Sequence, residues 1–184
     1  MNTKLYLIRH CQTTGQDSDA ILTADGEKQA EKLADFLGDA RIERIVSSPF
    51  VRAVQSIKPL AHRLRLEIET DPRLQERILS GSDLPNWREN LRQTFEHLDL
   101  RFPGGESSRE AMQRASAAVQ DILHQRPTGA TAIISHGNLS TLLLKHFDET
   151  IGFSTWESMT TPDVFCLQLF ETGASVTRIW QPGR

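Results

Sequence analysis

The sequence predicts an α/β fold, a largely parallel sheet with helices on both faces. Short apolar runs alternate with amphipathic stretches along the chain. Polar turns rich in serine, proline and glycine separate them. Only the last two runs are joined by nothing more than a tight turn, as in a hairpin.

The elements follow in order. Leu5-Tyr6-Leu7-Ile8 reads as a buried strand. Within 24–37, Ala30, Leu33, Ala34 and Leu37 recur at helical spacing, and Gly38 stops that helix. Ile45-Val46 makes a second strand ending in Ser47-Ser48-Pro49, where Pro49 suits the first turn of a helix. That helix has Val54, Ile57, Ala61 and Leu64 on one face. Residues 66–70 alternate like a third strand, ended by Asp71-Pro72. Residues 75–105 are the least regular part; a helix is expected near 83–98, with Ser82 or Asp83 at its cap and Pro85 early. In 106–125, Met112, Ala115, Val119, Ile122 and Leu123 share one side of a clearer helix. Residues 130–134 form a strand that runs through Ser135-His136-Gly137-Asn138 into a helix holding Leu139, Leu142, Leu143 and His146. Strands near 164–170 and 175–180, turning at Thr172-Gly173, close the pattern.

The 184 residues are expected to form one domain with its own core. Twenty-one basic and 24 acidic residues leave a net charge of −3, which offers no bulk attraction for nucleic acid or an anionic membrane. The first apolar run is too short for a leader or a membrane span. Two cysteines, Cys11 and Cys166, cannot build a disulfide framework, so a reducing, cytoplasmic setting is expected.

In a parallel sheet the chemistry gathers beyond the carboxyl ends of the strands. Those ends carry Arg9-His10, then Ser47-Ser48-Pro49-Phe50-Val51-Arg52, then Ser135-His136-Gly137. Arginine forks match phosphoryl oxygens and keep their charge. Helix N-termini add oriented N–H groups. Histidine serves as nucleophile or proton-bearing donor near neutral pH. The pattern points to a phosphoryl group.

These segments resemble the motifs of the histidine phosphatase superfamily, the phosphoglycerate mutase-like proteins. Residues 7–13, with Arg9, His10 and Thr13, are similar to its Arg-His-Gly-x-Thr signature, and 47–53 to its Ser-Ser-Pro-x-x-Arg-Ala motif. Leu74-Gln75-Glu76, Gly105-Glu106-Ser107 and Ser135-His136-Gly137 follow in the family's order. The resemblance spans nearly the whole chain. It implies a three-layer α/β/α sandwich and a phosphate pocket of Arg9, His10, Arg52 and His136. His10 is the implied nucleophile and Glu76 the implied proton donor, with Glu106 a second acidic candidate. Thr13, Gln16, Arg77 and Gly137 are expected substrate contacts, and residues 77–103 an insertion that sets specificity. No metal or cofactor is expected, and the implied partner is a phosphorylated small molecule.

The resemblance has departures. Cys11 replaces the glycine that usually follows the nucleophile, which suits a backbone with negative φ. As a thiol beside arginines it suggests redox sensitivity; as a small side chain it suggests simple packing. Gln16 stands where relatives place asparagine. Hydrolysis is expected over mutase chemistry, because little chain follows the last strand to form a lid. Leu74-Gln75-Glu76-Arg77, similar to the Leu-Asn-Glu-Arg run of the mutases, keeps phosphotransfer as the alternative. A non-catalytic phosphoryl-ligand binder on the same fold is a further alternative. Neither a His-x-His pair nor an HExxH helix supports a metallohydrolase.

Overall fold

The computed structural model describes residues 3–125 and 128–181. Six strands are present: β1 (Thr3–Arg9), β2 (Ile42–Ser47), β3 (Ile68–Thr70), β4 (Ala130–Ser135), β5 (Asp163–Phe170) and β6 (Gly173–Arg178). They form one sheet in the order β3-β2-β4-β1-β5-β6. The pairings β3·β2, β2·β4 and β4·β1 are parallel, and β5 and β6 add an antiparallel margin.

The side-chain alternation of β1 divides the core. Tyr6 and Ile8 face a layer made by α1 (Ala24–Leu37) and α2 (Val51–Leu64). Leu5 and Leu7 face the opposite layer, made by α3 (Trp87–Glu96), α4 (Ser108–His124), α5 (Gly137–Phe147) and α6 (Phe153–Ser158). Strand β4 lies between β1 and β2 and is buried along its whole length. Its Ala-Thr-Ala-Ile-Ile-Ser sequence is accordingly apolar on both sides, as a doubly covered parallel strand requires. Each such isoleucine contributes about 1.5–3 kcal/mol by burial. Register then levels the strand ends: Arg9 pairs with Ser135, and Ser47 with Ile134.

Boundaries differ from the sequence reading where loops decide them. Pro49 precedes the N-cap of α2 rather than occupying its first turn, because Phe50 is extended and the Val51 N–H donates to the Ser18 carbonyl. Helix α3 starts at Trp87, with Asn86 in the left-handed region at its cap, so neither Ser82 nor Asp83 caps it. The hairpin turns at Glu171-Thr172, and β6 begins at Gly173. The 3-10 turn Pro72–Leu74 and the six-residue α6 are additional; both are too short to carry a periodic signal.

Candidate active site

The three levelled strand ends bring the cationic residues into one pocket. His10 follows β1 and is 5% exposed. Its Nδ1–H donates to the Cys11 carbonyl at 2.7 Å, which leaves Nε2 unprotonated. Arg52, in the first turn of α2 and 1% exposed, points its Nε at that Nε2 from 3.3 Å. The Arg52 Nη1 donates to the carbonyls of Gln16 and Asp17, and its guanidinium lies 4.8 Å over the Phe50 ring. The same ring packs edge-on against His136, whose centroid is 5.1 Å from that of His10. His136 is fully buried at the N-cap of α5; its Nε2 bonds Ser48 Oγ at 2.8 Å, and its Nδ1 has no partner.

Arg9 completes the group. Its Nη1 donates to the Met159 carbonyl, while its buried Nε has no partner. The guanidinium passes directly over Gly137, where a Cβ would stand 3.1 Å from Arg9 Cζ. Glycine at the start of α5 therefore lets the arginine lie against the helix N-terminus. Arg52, His10 and His136 are thus crowded together out of water, with the half-buried Arg9 beside them. Burial, opposed by the bond to the Cys11 carbonyl and aided by the Arg52 and Arg9 charges, pushes the His10 imidazole down to about 4. His136 is driven well below its ordinary range by burial and then by His10, Arg52, Arg114 and Arg9. Burial also lowers Arg9 and Arg52, and the nearby Glu76 counteracts it in both. The pocket holds two cations and two neutral imidazoles, an arrangement that suits an incoming dianion.

Glu76 sits at the same helix end. Its carboxylate accepts the backbone N–H groups of Arg77, Asn138 and Leu139 at 2.9, 3.2 and 2.9 Å. The start of α5 thereby fixes the carboxylate beside Gly137. A cavity of about 460 Å³ opens at Glu76 and is walled by Pro72, Gln75, Ile78, Arg101, Glu106 and Arg114. A larger groove of about 1020 Å³ runs between α1 and α2; neither space is lined by Arg9, His10, Arg52 or His136, and Glu76 is what links the smaller one to the pocket.

Several candidate residues are placed differently. Arg77 is 5% exposed and turned inward, donating to the Glu106 carbonyl, Thr94 Oγ1 and Ser108 Oγ. Burial pushes it down to about 10. The guanidinium, expected at the substrate, is placed between α3 and α4, on Thr94 and Ser108. The Thr13 hydroxyl donates to the Ile21 carbonyl at 2.9 Å and serves the loop. The Gln16 side chain is exposed, and its carbonyl is what reaches Arg52.

Glu106 is held in a two-pronged pair with Arg114, at 2.6 and 2.8 Å. The second acidic candidate is therefore placed on an arginine, whereas Glu76 is placed on the N-terminus of α5. The Gly105-Glu106-Ser107 segment is explained by construction. A Cβ on Gly105 would strike the Leu79 carbonyl at 2.1 Å, Glu106 grips Arg114, and Ser107 caps α4 in a reciprocal box with Glu110.

Cys11 is fully buried beneath α1 and α2, and burial pushes its thiol up to about 12. That direction favours the neutral thiol, and with it packing over redox sensitivity. Among the described non-glycine residues only Arg41, Arg65 and Asn86 have positive φ, so the cysteine backbone is unstrained. Sequence reasoning missed Arg114, an arginine within an amphipathic helix that reads as solvated. It also missed the Met159 carbonyl, which no side-chain pattern can reveal. Among the described residues no group of three His, Cys, Asp or Glu side chains is placed to hold a metal ion, and no helix is long and apolar enough to cross a membrane.

Comparison with known proteins bears on the family and the fold. The sequence matches the family model of the histidine phosphatase superfamily (branch 1) over residues 5–179. It is 33% identical over 156 residues to a probable phosphoglycerate mutase GpmB of Proteus mirabilis, covering 73% of this chain and 69% of that one. The fold matches a mycobacterial glucosyl-3-phosphoglycerate phosphatase with a TM-score of 0.80 at 22% identity, over 98% of this chain and 99% of that one. It also matches a phosphoserine phosphatase mutant from Entamoeba histolytica in complex with phosphoserine, with a TM-score of 0.78 at 18% identity over 95% of each chain.

Proposed function

The chain belongs to the histidine phosphatase superfamily, branch 1, and on that premise we propose that it is a metal-independent phosphatase hydrolysing a phosphomonoester through a phosphohistidine on His10. The observation that carries this reading is the state of the His10 ring. Nδ1–H is spent on the Cys11 carbonyl, and the bare Nε2 faces the cationic pocket.

In the first step Nε2 attacks phosphorus as the ester P–O bond breaks on the opposite side. Arg9 Nε and His136 Nδ1, both without partners in the free protein, supply donors or contacts for the phosphoryl oxygens. Arg52 Nε moves from His10 to an incoming oxygen, while Nη1 stays on the Gln16 and Asp17 carbonyls. Glu76, protonated for this step, gives its proton to the leaving alkoxide. It then takes a proton from the water that attacks phosphorus, the N–P bond breaks, and the electron pair returns to Nε2. The arginines provide the positive charge that other phosphatases take from metal ions. The cavity beside Glu76 is the proposed seat of the leaving group.

Two phosphatases that match this fold over at least 95% of their own chains support hydrolysis. The probable phosphoglycerate mutase GpmB, at 33% identity, favours a second reading in which His10 passes the phosphoryl group to a hydroxyl acceptor. Phosphate release from a panel of phosphomonoesters, with and without EDTA, tests the first reading. Assay on 3-phosphoglycerate with and without 2,3-bisphosphoglycerate tests the second. Turnover that survives His10→Ala, or that EDTA abolishes, overturns the phosphohistidine mechanism.

A further inference from the structure

We propose that Arg114 is the positioning residue that sets Glu76 for proton transfer, with Glu106 as its anchor. The proposal rests on the reading of Glu76 as the acid. Glu76 lies in an irregular stretch between the 3-10 turn Pro72–Leu74 and α3, where no helix or strand ladder fixes the backbone. Something else must do so if the carboxyl is to meet a leaving oxygen within a fraction of an ångström.

Arg114 supplies that constraint from α4. Its Nη1 donates to the carbonyls of Arg73 and Gln75, at 2.6 and 2.9 Å. The same guanidinium is held in both remaining directions by the Glu106 carboxylate. A single planar fork therefore spans the backbone on the N-terminal side of Glu76 and the segment before α4. Ser135 Oγ adds a third tie, donating to the Leu74 carbonyl at 2.9 Å. On the C-terminal side, the inward guanidinium of Arg77 grips the Glu106 carbonyl. Glu106 is thus tied to both sides of residue 76, by its carboxylate through Arg114 to the carbonyls of residues 73 and 75, and by its carbonyl directly to Arg77. The fork makes four bonds, two to carbonyls from Nη1 and a two-pronged pair to the carboxylate; an ammonium has three donors and cannot make all four. Arg114 also lines the cavity at Glu76, so its fork lies where the leaving group is proposed to sit.

The leaving group reveals a misplaced acid. An alkyl phosphate expels a strongly basic alkoxide that needs the Glu76 proton, whereas p-nitrophenyl phosphate expels a stabilised phenolate that needs little help. Values of kcat/KM for both substrates are measured in wild type, Glu76→Gln, Arg114→Ala, Arg114→Lys and Glu106→Gln, each checked for a cooperative melt. For both Arg114 variants the expected loss is about 10²-fold on an alkyl phosphate such as glycerol 2-phosphate, and under about tenfold on p-nitrophenyl phosphate. Glu106→Gln follows in the same direction with a smaller loss, and Glu76→Gln sets the full discrimination between substrates.

Equal losses on the two substrates in the folded Arg114→Lys and Glu106→Gln proteins, with Glu76→Gln still discriminating, overturn this proposal alone. A Glu76→Gln protein that does not discriminate overturns the acid assignment and the proposal together. So does a wild type that hydrolyses neither substrate.

Discussion

Arg52 Nε lies 3.3 Å from His10 Nε2, so the most buried guanidinium of the pocket faces the lone pair of the proposed nucleophile. A cation in that place acts twice. It adds to burial in keeping the ring from taking a proton, and in the proposed mechanism it stands where a phosphoryl oxygen would arrive. Arg52→Lys retains charge but loses the fork that reaches Gln16, Asp17 and His10 together. The expected result is a fall in kcat/KM of about 10²–10³-fold on any phosphomonoester, measured by phosphate release.

The depressed His10 has a pH signature. With its imidazole pushed down to about 4, the ring is neutral above that value and becomes a cation only as pH falls through it. Imidazole resonances followed by NMR in the free protein are expected to titrate near 4 for His10; a midpoint at the ordinary 6.5 contradicts the assignment. Stability carries the same sign. Between the ordinary 6.5 and about 4, the unfolded chain binds a proton at this site that the folded protein refuses. Stability therefore falls as pH drops through that window, by up to about 1.4 kcal/mol per pH unit from this group. Denaturant midpoints measured at successive pH values check this.

Gly137 is needed for space. In Gly137→Ala the new methyl meets Arg9 Cζ and Nε at 3.1 Å, so the guanidinium must shift off the α5 N-terminus. The fold tolerates this because the neighbour is the end of a flexible side chain. The expected outcome is a KM raised several-fold to about tenfold, with Tm nearly unchanged, read from steady-state kinetics and a thermal melt.

Cys11 acts by filling space. Wild type and Cys11→Gly are expected to lose activity at equal rates in peroxide, since burial pushes the thiol up to about 12 and favours its neutral form. The variant is expected to be less stable by about 1 kcal/mol, from a lost buried side chain and a freer unfolded backbone. Faster peroxide inactivation of wild type reverses the first expectation.

The capping box of α4 separates stability from chemistry. Ser107→Ala removes the hydroxyl that accepts the Glu110 N–H at 3.2 Å. It is expected to cost about 1 kcal/mol in a denaturant titration.

Much of the pocket was legible because its parts stand directly at strand ends. Apolar runs locate the ends, and Arg9, His10, Ser48 and His136 follow them within two residues. Arg52 was legible from the strand–helix turn even though α2 begins two residues after Pro49. Arg77 was not, because no periodicity in an irregular segment tells which way a long side chain turns. Arg114 hid for a different reason. Its partners at residues 73 and 75 lie about forty positions away, and only the packing of α4 beside that turn brings them within reach. Cys11 was half legible: its size suited packing, but depth beneath α1 and α2 decides its acidity.

The placement of β4 has a bearing on how the protein is made. Strands β1 and β2 bring Arg9, His10 and Arg52 off the ribosome first, yet the two do not pair with each other. Each waits for the segment Ala130–Ser135, which must slide between them and close two parallel ladders at once. Before that segment is made, β1 and β2 share no ladder, and His136 and the start of α5 are missing from the pocket. A loop closure spanning more than a hundred residues makes this a slow, late event. Joining of the two halves of the pocket therefore waits on β4, with β5 and β6 still to pair on the far side of β1, and a nascent chain stalled before β4 is expected to bind no phosphate.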